Sequence, residues 1–279
     1  MYGNDLISYF GKKEKKQGFL NLEDLDCYNF KTDPHYGTRK IEIDGKDYFM
    51  KDIFNKDRIS AEILCGILYN KMGTKSAMYL PMYFEDERYV ISNNVLDKDC
   101  MSIEEYLKTL EKVYNYGHVN PFLFSDKYSY IPIENRLDVV TLDCLRENLK
   151  INAIDLALGN WDGRNSNRGI KMVDRKATEM RVFDNEASGW KWGFERDLIF
   201  YNNFAVARLI HDDVINHYRT NEEYRQYITP QELAEVVGSL PIDESVNEAT
   251  QATGHQFNQE YIDYLKYNVD KTAQELEQC

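Results

Sequence analysis

The sequence predicts an α+β protein in two parts, a small sheet-rich lobe followed by a mostly helical one. Three observations predict it. Strand-forming residues and a hairpin turn signal crowd the first ninety or so positions, apolar runs of helical length fill most of the remaining chain, and one pair of short strands interrupts those runs. A chain of 279 residues has room for two lobes packed on each other. The division is expected near residue 96, with residues 1–96 forming the smaller lobe and residues 97–279 the helical one.

Residues 28–43 carry strand residues around a loop at 32–38. Lys40-Ile41-Glu42-Ile43 and Tyr48-Phe49-Met50-Lys51 then flank Asp44-Gly45, a strong hairpin signal. A helix is expected over 60–72, with Ile59, Ile63, Ile67 and Leu68 on its apolar side and Gly73 as its stop. Glu62 falls at the edge of that stripe, and Gly66, one turn beyond, has no side chain to keep another element away. Strands at 79–84 and 88–92 complete the first sheet.

Beyond them the pattern predicts helices over 103–113 and 142–158, strands over 169–173 and 180–183, and helices over about 204–218, 230–237 and 259–276. The aromatic segment 114–136 is expected to be a long loop packed over the helical lobe.

Composition excludes several classes. The net charge of −13 lacks the basic footprint that nucleic-acid binding needs, and it opposes adhesion to anionic membranes. The first residues show no signal-peptide core, and no apolar run is long enough to span a bilayer, so a cytoplasmic location is expected. Five scattered cysteines without a CxxC pair read as free thiols in a reducing compartment. The five histidines show no metal-ligand spacing, and His211-Asp212-Asp213 reads as a solvated helix face. Neither a nucleophile elbow nor a phosphate-binding loop of the Walker type is present.

The chemistry is concentrated in Leu158-Gly159-Asn160-Trp161-Asp162-Gly163-Arg164-Asn165-Ser166-Asn167-Arg168-Gly169, between an apolar helix and a strand. Asp162 is followed five residues later by Asn167, and Asp184 comes seventeen residues further on, just past the second strand. Phosphoryl transfer needs one carboxylate to orient an acceptor hydroxyl and take its proton. It also needs an amide oxygen and a second carboxylate to hold Mg²⁺ against the phosphates. The Asp-to-Asn spacing is that of the kinase catalytic loop.

Upstream, Lys51 at the end of a hairpin strand is placed to meet the α- and β-phosphates of ATP, and Glu62 on the next helix is placed to fix that lysine. Gly37 and Thr38, before the hairpin, offer backbone N–H groups to phosphate, with one glycine where kinases have three.

On these residues the chain resembles the HipA-like serine/threonine kinases, a branch of the protein-kinase-like superfamily close to the phosphoinositide 3/4-kinase-like fold. The family's loop commonly reads G-N-x-D-x-H-x-x-N-x-G, matched here by residues Gly159 to Gly169, and its metal motif is matched by Phe183-Asp184-Asn185. The helix beginning near Ser60 and the strand ending at Ser92 look like the family's helix and hinge-leading strand.

The resemblance implies a two-lobed protein-kinase-like fold and the cofactors ATP and Mg²⁺. It implies Asp162, Lys51, Glu62 and Arg164 as catalytic residues. Gly37, Thr38, Lys51, Ser92, Asn167 and Phe183 would bind nucleotide, and Asn167 and Asp184 would bind metal. It also implies a protein substrate, and an antitoxin or regulatory protein as partner, without direct nucleic-acid binding. Two departures stand out: Arg164 replaces the family's loop histidine, and the chain is shorter than full-length HipA. The alternatives are a pseudokinase or nucleotide-binding interaction module, a lipid or small-molecule kinase of the same fold, and an interaction protein that binds no nucleotide.

Overall fold

The computed structural model describes residues 15–16, 19–21, 28–30, 38–52, 56–84, 87–114, 121–122, 133–160, 167–183, 215–216, 218–220 and 225–279. A seven-stranded sheet comes mostly from the first third of the chain. It contains β1 (Lys15–Lys16), β2 (Phe19–Asn21), β3 (Tyr28–Phe30), β4 (Thr38–Ile43) and β5 (Lys46–Asp52). The helix α1 (Lys56–Lys71) and the short strand β6 (Lys75–Ser76) precede its last two strands, β7 (Tyr79–Phe84) and β8 (Glu87–Asn93). The order across this sheet is β1-β2-β7-β8-β5-β4-β3.

The β4–β5 hairpin closes through Asp44 and Gly45, both at positive φ, the twist that a two-residue hairpin requires and that Asp-Gly tolerates. Along β5 the period of two buries Tyr48 and Met50 in the core and sends Phe49 and Lys51 to the other face.

The second sheet is assembled around β9 (Cys100–Ser102), β10 (Arg168–Val173) and β11 (Lys176–Val182), in the order β6-β11-β10-β9. Around it lie α2 (Ile103–Tyr114), α3 (Ile133–Val139), α4 (Leu142–Leu158), α5 (Pro230–Gly238), α6 (Ile242–Thr253) and α7 (Gln259–Glu277). Helix α4 starts where the Thr141 side chain accepts the Cys144 N–H, and it stops at Gly159 in the left-handed region. Thr229 and Glu232 form a capping box at α5, with Pro230 in its first turn. No helix among the described residues is long and apolar enough to cross a membrane.

Most of the expected elements are present. Two expectations are corrected. The 114–136 segment is not loop throughout, because α3 begins at Ile133; Phe122 within it is buried against Tyr106, with ring centroids 6.4 Å apart. Helix α6, which had not been expected, packs on α1. The helix expected over 204–218 lies mostly outside the described residues.

Helix α1 is buried at every position from 59 to 69. Ile59, Ile63 and Ile67 join the apolar cluster of the first sheet, while Leu64, Cys65, Leu68 and Tyr69 join the cluster of the helical part. Helix α6 adds Ala249 to the first cluster, and its Glu244 and Glu248 pair with Lys71 at 2.7 and 2.8 Å. His255, just beyond α6, shares a hydrogen bond of 2.8 Å with Ser60, both buried.

The chain passes between the two sheets three times, through α1, at residues 77–78 and again at 94–99. The last two crossings are tied together where the Met78 N–H donates to Asn93 Oδ1 at 2.7 Å.

Gly66 faces a close neighbour. A Cβ there would lie 2.4 Å from the Ala77 carbonyl oxygen and 3.1 Å from the Tyr79 ring. Since the obstacle is backbone, Gly66→Ala is expected to cost roughly 1–3 kcal/mol, more than the helix gains from alanine. Its melting temperature should fall by several degrees in calorimetry. Gly238→Ala in α5, where a Cβ would meet only Ala273 Cβ at 3.8 Å, should leave the melting temperature unchanged or raise it.

Candidate active site

Between the first sheet and the segment that leaves it lies a cavity of about 240 Å³. Phe49 and Lys51 of β5, Tyr79 of β7 and Ser92 of β8 form its walls, Leu96 of the connecting segment closes one side, and Phe183 closes it from the end of β11. Its lining is mostly apolar, with a few polar groups, the usual character of a small-molecule site. The connecting segment is held in shape by its own side chains: Asn94 Oδ1 accepts the Leu96 N–H at 2.9 Å.

Lys51 Nζ lies 3.2 Å from Glu62 Oε1. The Glu62 side chain is 0% exposed and that of Lys51 21%. The helical pattern alone leaves Glu62 at the margin of the apolar stripe; the fold buries it because α1 is enclosed on all sides. Thr38 sits opposite Lys51 in the β4–β5 ladder.

The other half of the site is built by the β10–β11 hairpin. Arg168 pairs with Val182, and the Phe183 N–H donates to the Asn167 carbonyl at 3.1 Å. The last residue of the Asp162–Asn167 stretch therefore lies beside the residue that precedes Asp184. Asn167 is 9% exposed. Gly169 continues this close packing: a Cβ there would meet Leu96 Cδ2 at 2.3 Å and the Met101 carbonyl oxygen at 3.2 Å. Gly37, Asp162, Arg164 and Asp184 lie outside the described residues.

No protein-family model and no curated protein matches the chain. Solved structures do. The proinflammatory kinase CtkA of Helicobacter pylori matches with a TM-score of 0.51 at 12% identity, over 92% of this chain and 94% of that one. HipA of Shewanella oneidensis MR-1, solved in a toxin–antitoxin complex with HipB and operator DNA, matches with a TM-score of 0.45 at 11% identity, over 100% of this chain and 71% of that one. The fold is two-lobed and kinase-like. The likeness to the Helicobacter kinase thus bears out the protein-kinase-like fold that the sequence resemblance implies.

Within this kinase-like fold, residues with no motif to announce them meet at Asn160 and Arg168, on either side of the Asp162 segment. The Asp155 carboxylate, at the last turn of α4, is buried and paired with the Arg168 guanidinium. It also accepts from the Tyr69 hydroxyl and, at 2.9 Å, from Asn160 Nδ2. Burial, then the neighbouring Asp155 charge, hold the Tyr69 hydroxyl well above the usual phenol range. The one sequence signal for this cluster is a carboxylate inside the otherwise apolar run Ile154-Asp155-Leu156-Ala157-Leu158.

Behind the connecting segment, Arg181 is 2% exposed and donates to Glu179 at 2.9 Å, while Lys75 donates to the same carboxylate at 3.0 Å. Burial opposes ionisation of Glu179, but the hydrogen bonds from Lys75 and Arg181 outweigh it and hold its carboxyl at about 2. Among the described residues no group of three or more His, Cys, Asp or Glu side chains is gathered for a metal ion.

These ion pairs set two stability expectations. Lys51→Met takes the cation from a fully buried carboxylate, a class of change that costs about 3–5 kcal/mol. Glu62→Gln leaves a lysine that reaches solvent and should cost less. Denaturant unfolding at neutral pH is expected to rank them in that order. For Glu179, the folded carboxyl lies below its unfolded value, so its contribution is complete above the unfolded pKa and is lost as pH falls toward about 2. The stability difference between wild type and Glu179→Gln should be constant from neutral pH to about pH 5 and shrink below it.

Proposed function

We propose that the chain is an ATP- and Mg²⁺-dependent phosphotransferase that moves the γ-phosphoryl group onto a Ser or Thr hydroxyl of a protein. The observation that carries this reading is the convergence of Lys51 and Phe183 on one cavity. The lysine is fixed by a buried carboxylate from α1, and Phe183 is bonded to Asn167 and stands one residue before Asp184. A cavity walled by Phe49, Tyr79, Leu96 and Phe183 suits a flat purine, with Ser92 at its inner wall. The smaller lobe, ending near residue 96, would contribute Gly37, Thr38 and Lys51 to the phosphates. The helical lobe would contribute the catalytic loop.

In this reading Asp162 takes the proton of the acceptor hydroxyl as its oxygen bonds to the γ-phosphorus, and the bond from that phosphorus to the bridging oxygen breaks, releasing ADP. Lys51 and Arg164 offset charge on the phosphates. An amide oxygen and a carboxylate are the hard donors that Mg²⁺ takes, so Asn167 and Asp184 fit that ion. When bound it would neutralise phosphate charge. The choice of a protein acceptor, and of an antitoxin or regulatory protein as partner, rests on the sequence resemblance, whereas a cytoplasmic location fits the scattered cysteines without a CxxC pair. Arg164 in place of the family's histidine, together with the single glycine of the phosphate loop, supports a second reading as a pseudokinase.

Incubating the protein with γ-labelled ATP and Mg²⁺ distinguishes these readings. Transfer to protein Ser or Thr is expected, and Asp162→Ala or Asp184→Ala should each reduce it by about 10²- to 10⁴-fold in proteins that still melt cooperatively. ATP with Mg²⁺ should raise the melting temperature, by about 2.7 kcal/mol of stabilisation at a hundredfold excess over Kd. Stabilisation without transfer would favour the pseudokinase. Label recovered only in a small molecule or lipid would replace the acceptor class, and the absence of both effects would sink the reading altogether.

A further inference from the structure

Glu62, Gly66 and Tyr69 lie on one face of α1, within about 60° of arc at 100° per residue. Glu62 holds Lys51, which lines the cavity. Seven residues on, about 10 Å along the helix axis, Tyr69 donates its hydroxyl to Asp155. Asp155 is the point at which the two ends of the catalytic loop meet. Asn160, just before the loop, is bound to it twice, from Nδ2 to the carboxylate at 2.9 Å and from its backbone N–H to the Asp155 carbonyl at 2.7 Å. Arg168, just after the loop, pairs with the same carboxylate and also donates to Asn148 at 3.1 Å and to Asn152.

We propose that Tyr69, Asp155 and Arg168 are positioning residues for phosphoryl transfer, a buried hub through which α1 sets the place of the loop carrying Asp162. The inference rests on the kinase reading. None of the three lines the cavity, so none is expected to touch nucleotide. Their effect passes through the loop ends that they hold. A carboxylate serves where an amide would not, because it accepts from Tyr69 and Asn160 on one oxygen and from Arg168 on the other, with no donor of its own to satisfy. The arrangement couples two placements that the reaction needs at once: Lys51 on the nucleotide, fixed from one end of the helix face, and Asp162 on the acceptor, fixed from the other.

Tyr69→Phe removes one hydroxyl and keeps the ring. With the full-length protein and Mg-ATP, kcat is expected to fall at least tenfold while KM for ATP stays within about twofold. Hydrogen exchange should quicken in 160–168 and not in the strands of the first sheet. Arg168→Lys, which keeps a cation but loses the guanidinium fork, provides a second variant should the first not fold, and the same split is expected. An unchanged kcat in a folded variant would overturn the proposal, as would exchange quickened equally throughout α1, α4 and the first sheet, which marks a merely structural bond. The exchange measurement needs no activity. If wild type transfers no phosphate, the kinase reading fails, while confined exchange in 160–168 still supports the hub and its absence still sinks it.

Discussion

A buried carboxylate is tolerable only beside a cation or several donors, and the site rests on two of them. Glu62 is buried on α1 and answered by Lys51; Asp155 is buried at the end of α4 and answered by Arg168, Tyr69 and Asn160. Neither group contributes stability in the way an apolar side chain would. Desolvating each costs several kcal/mol before the partner offsets it. What the two carboxylates provide is specificity of place: each is satisfied in one arrangement of the elements around it, and α1 takes part in both.

That makes α1 the element on which both halves of the site depend. Its isoleucines at 59, 63 and 67 lock it to the first sheet, and Leu64, Leu68 and Tyr69 lock it to the helical part. A helix free on one side could slide without exposing much apolar area. This one cannot, because α6 closes the remaining side, with Ala249 in the core and Glu244 and Glu248 on Lys71. The C-terminal helices thus support a helix formed some two hundred residues earlier.

Elements whose ends are written in local chemistry were legible in the sequence. Helix α4 is found where Thr141 and Gly159 bound its apolar run, and the β4–β5 hairpin where Asp44-Gly45 supplies its turn. The close approach of another element at Gly66 was also readable, as was the antiparallel pairing that returns the chain from Asn167 to Phe183. Helix α6 was not. Its N-cap is Pro241 with no side-chain hydrogen bond, and Ser, Thr and Asn residues dilute its apolar pattern, so the packing on α1 decides it. Strands β6 and β9, of two and three residues, are too short for alternation to show. The burial of Glu62 depends on a lysine eleven residues away on another element, and the Asp155 hub joins residues from three elements. No local period encodes either, and a loop motif that ends its fixed positions at Asn167 and Gly169 leaves Arg168, between them, unmarked.

The chain passes between the two sheets three times, once through α1 and then at 77–78 and 94–99, and the last two crossings are stitched to each other by the bond from Met78 to Asn93. A lid joined to its box along a single strap can twist, shear and tilt. Here one of three straps is a helix packed into both apolar clusters, so a twist or tilt of one half against the other would pull α1 out of one of them. The cavity lies beside the last strap, with Leu96 seated on Gly169. The walls formed by Ser92 and Leu96 therefore belong to the joint itself, and a molecule resting on them rests on the part of the protein with the most fastenings.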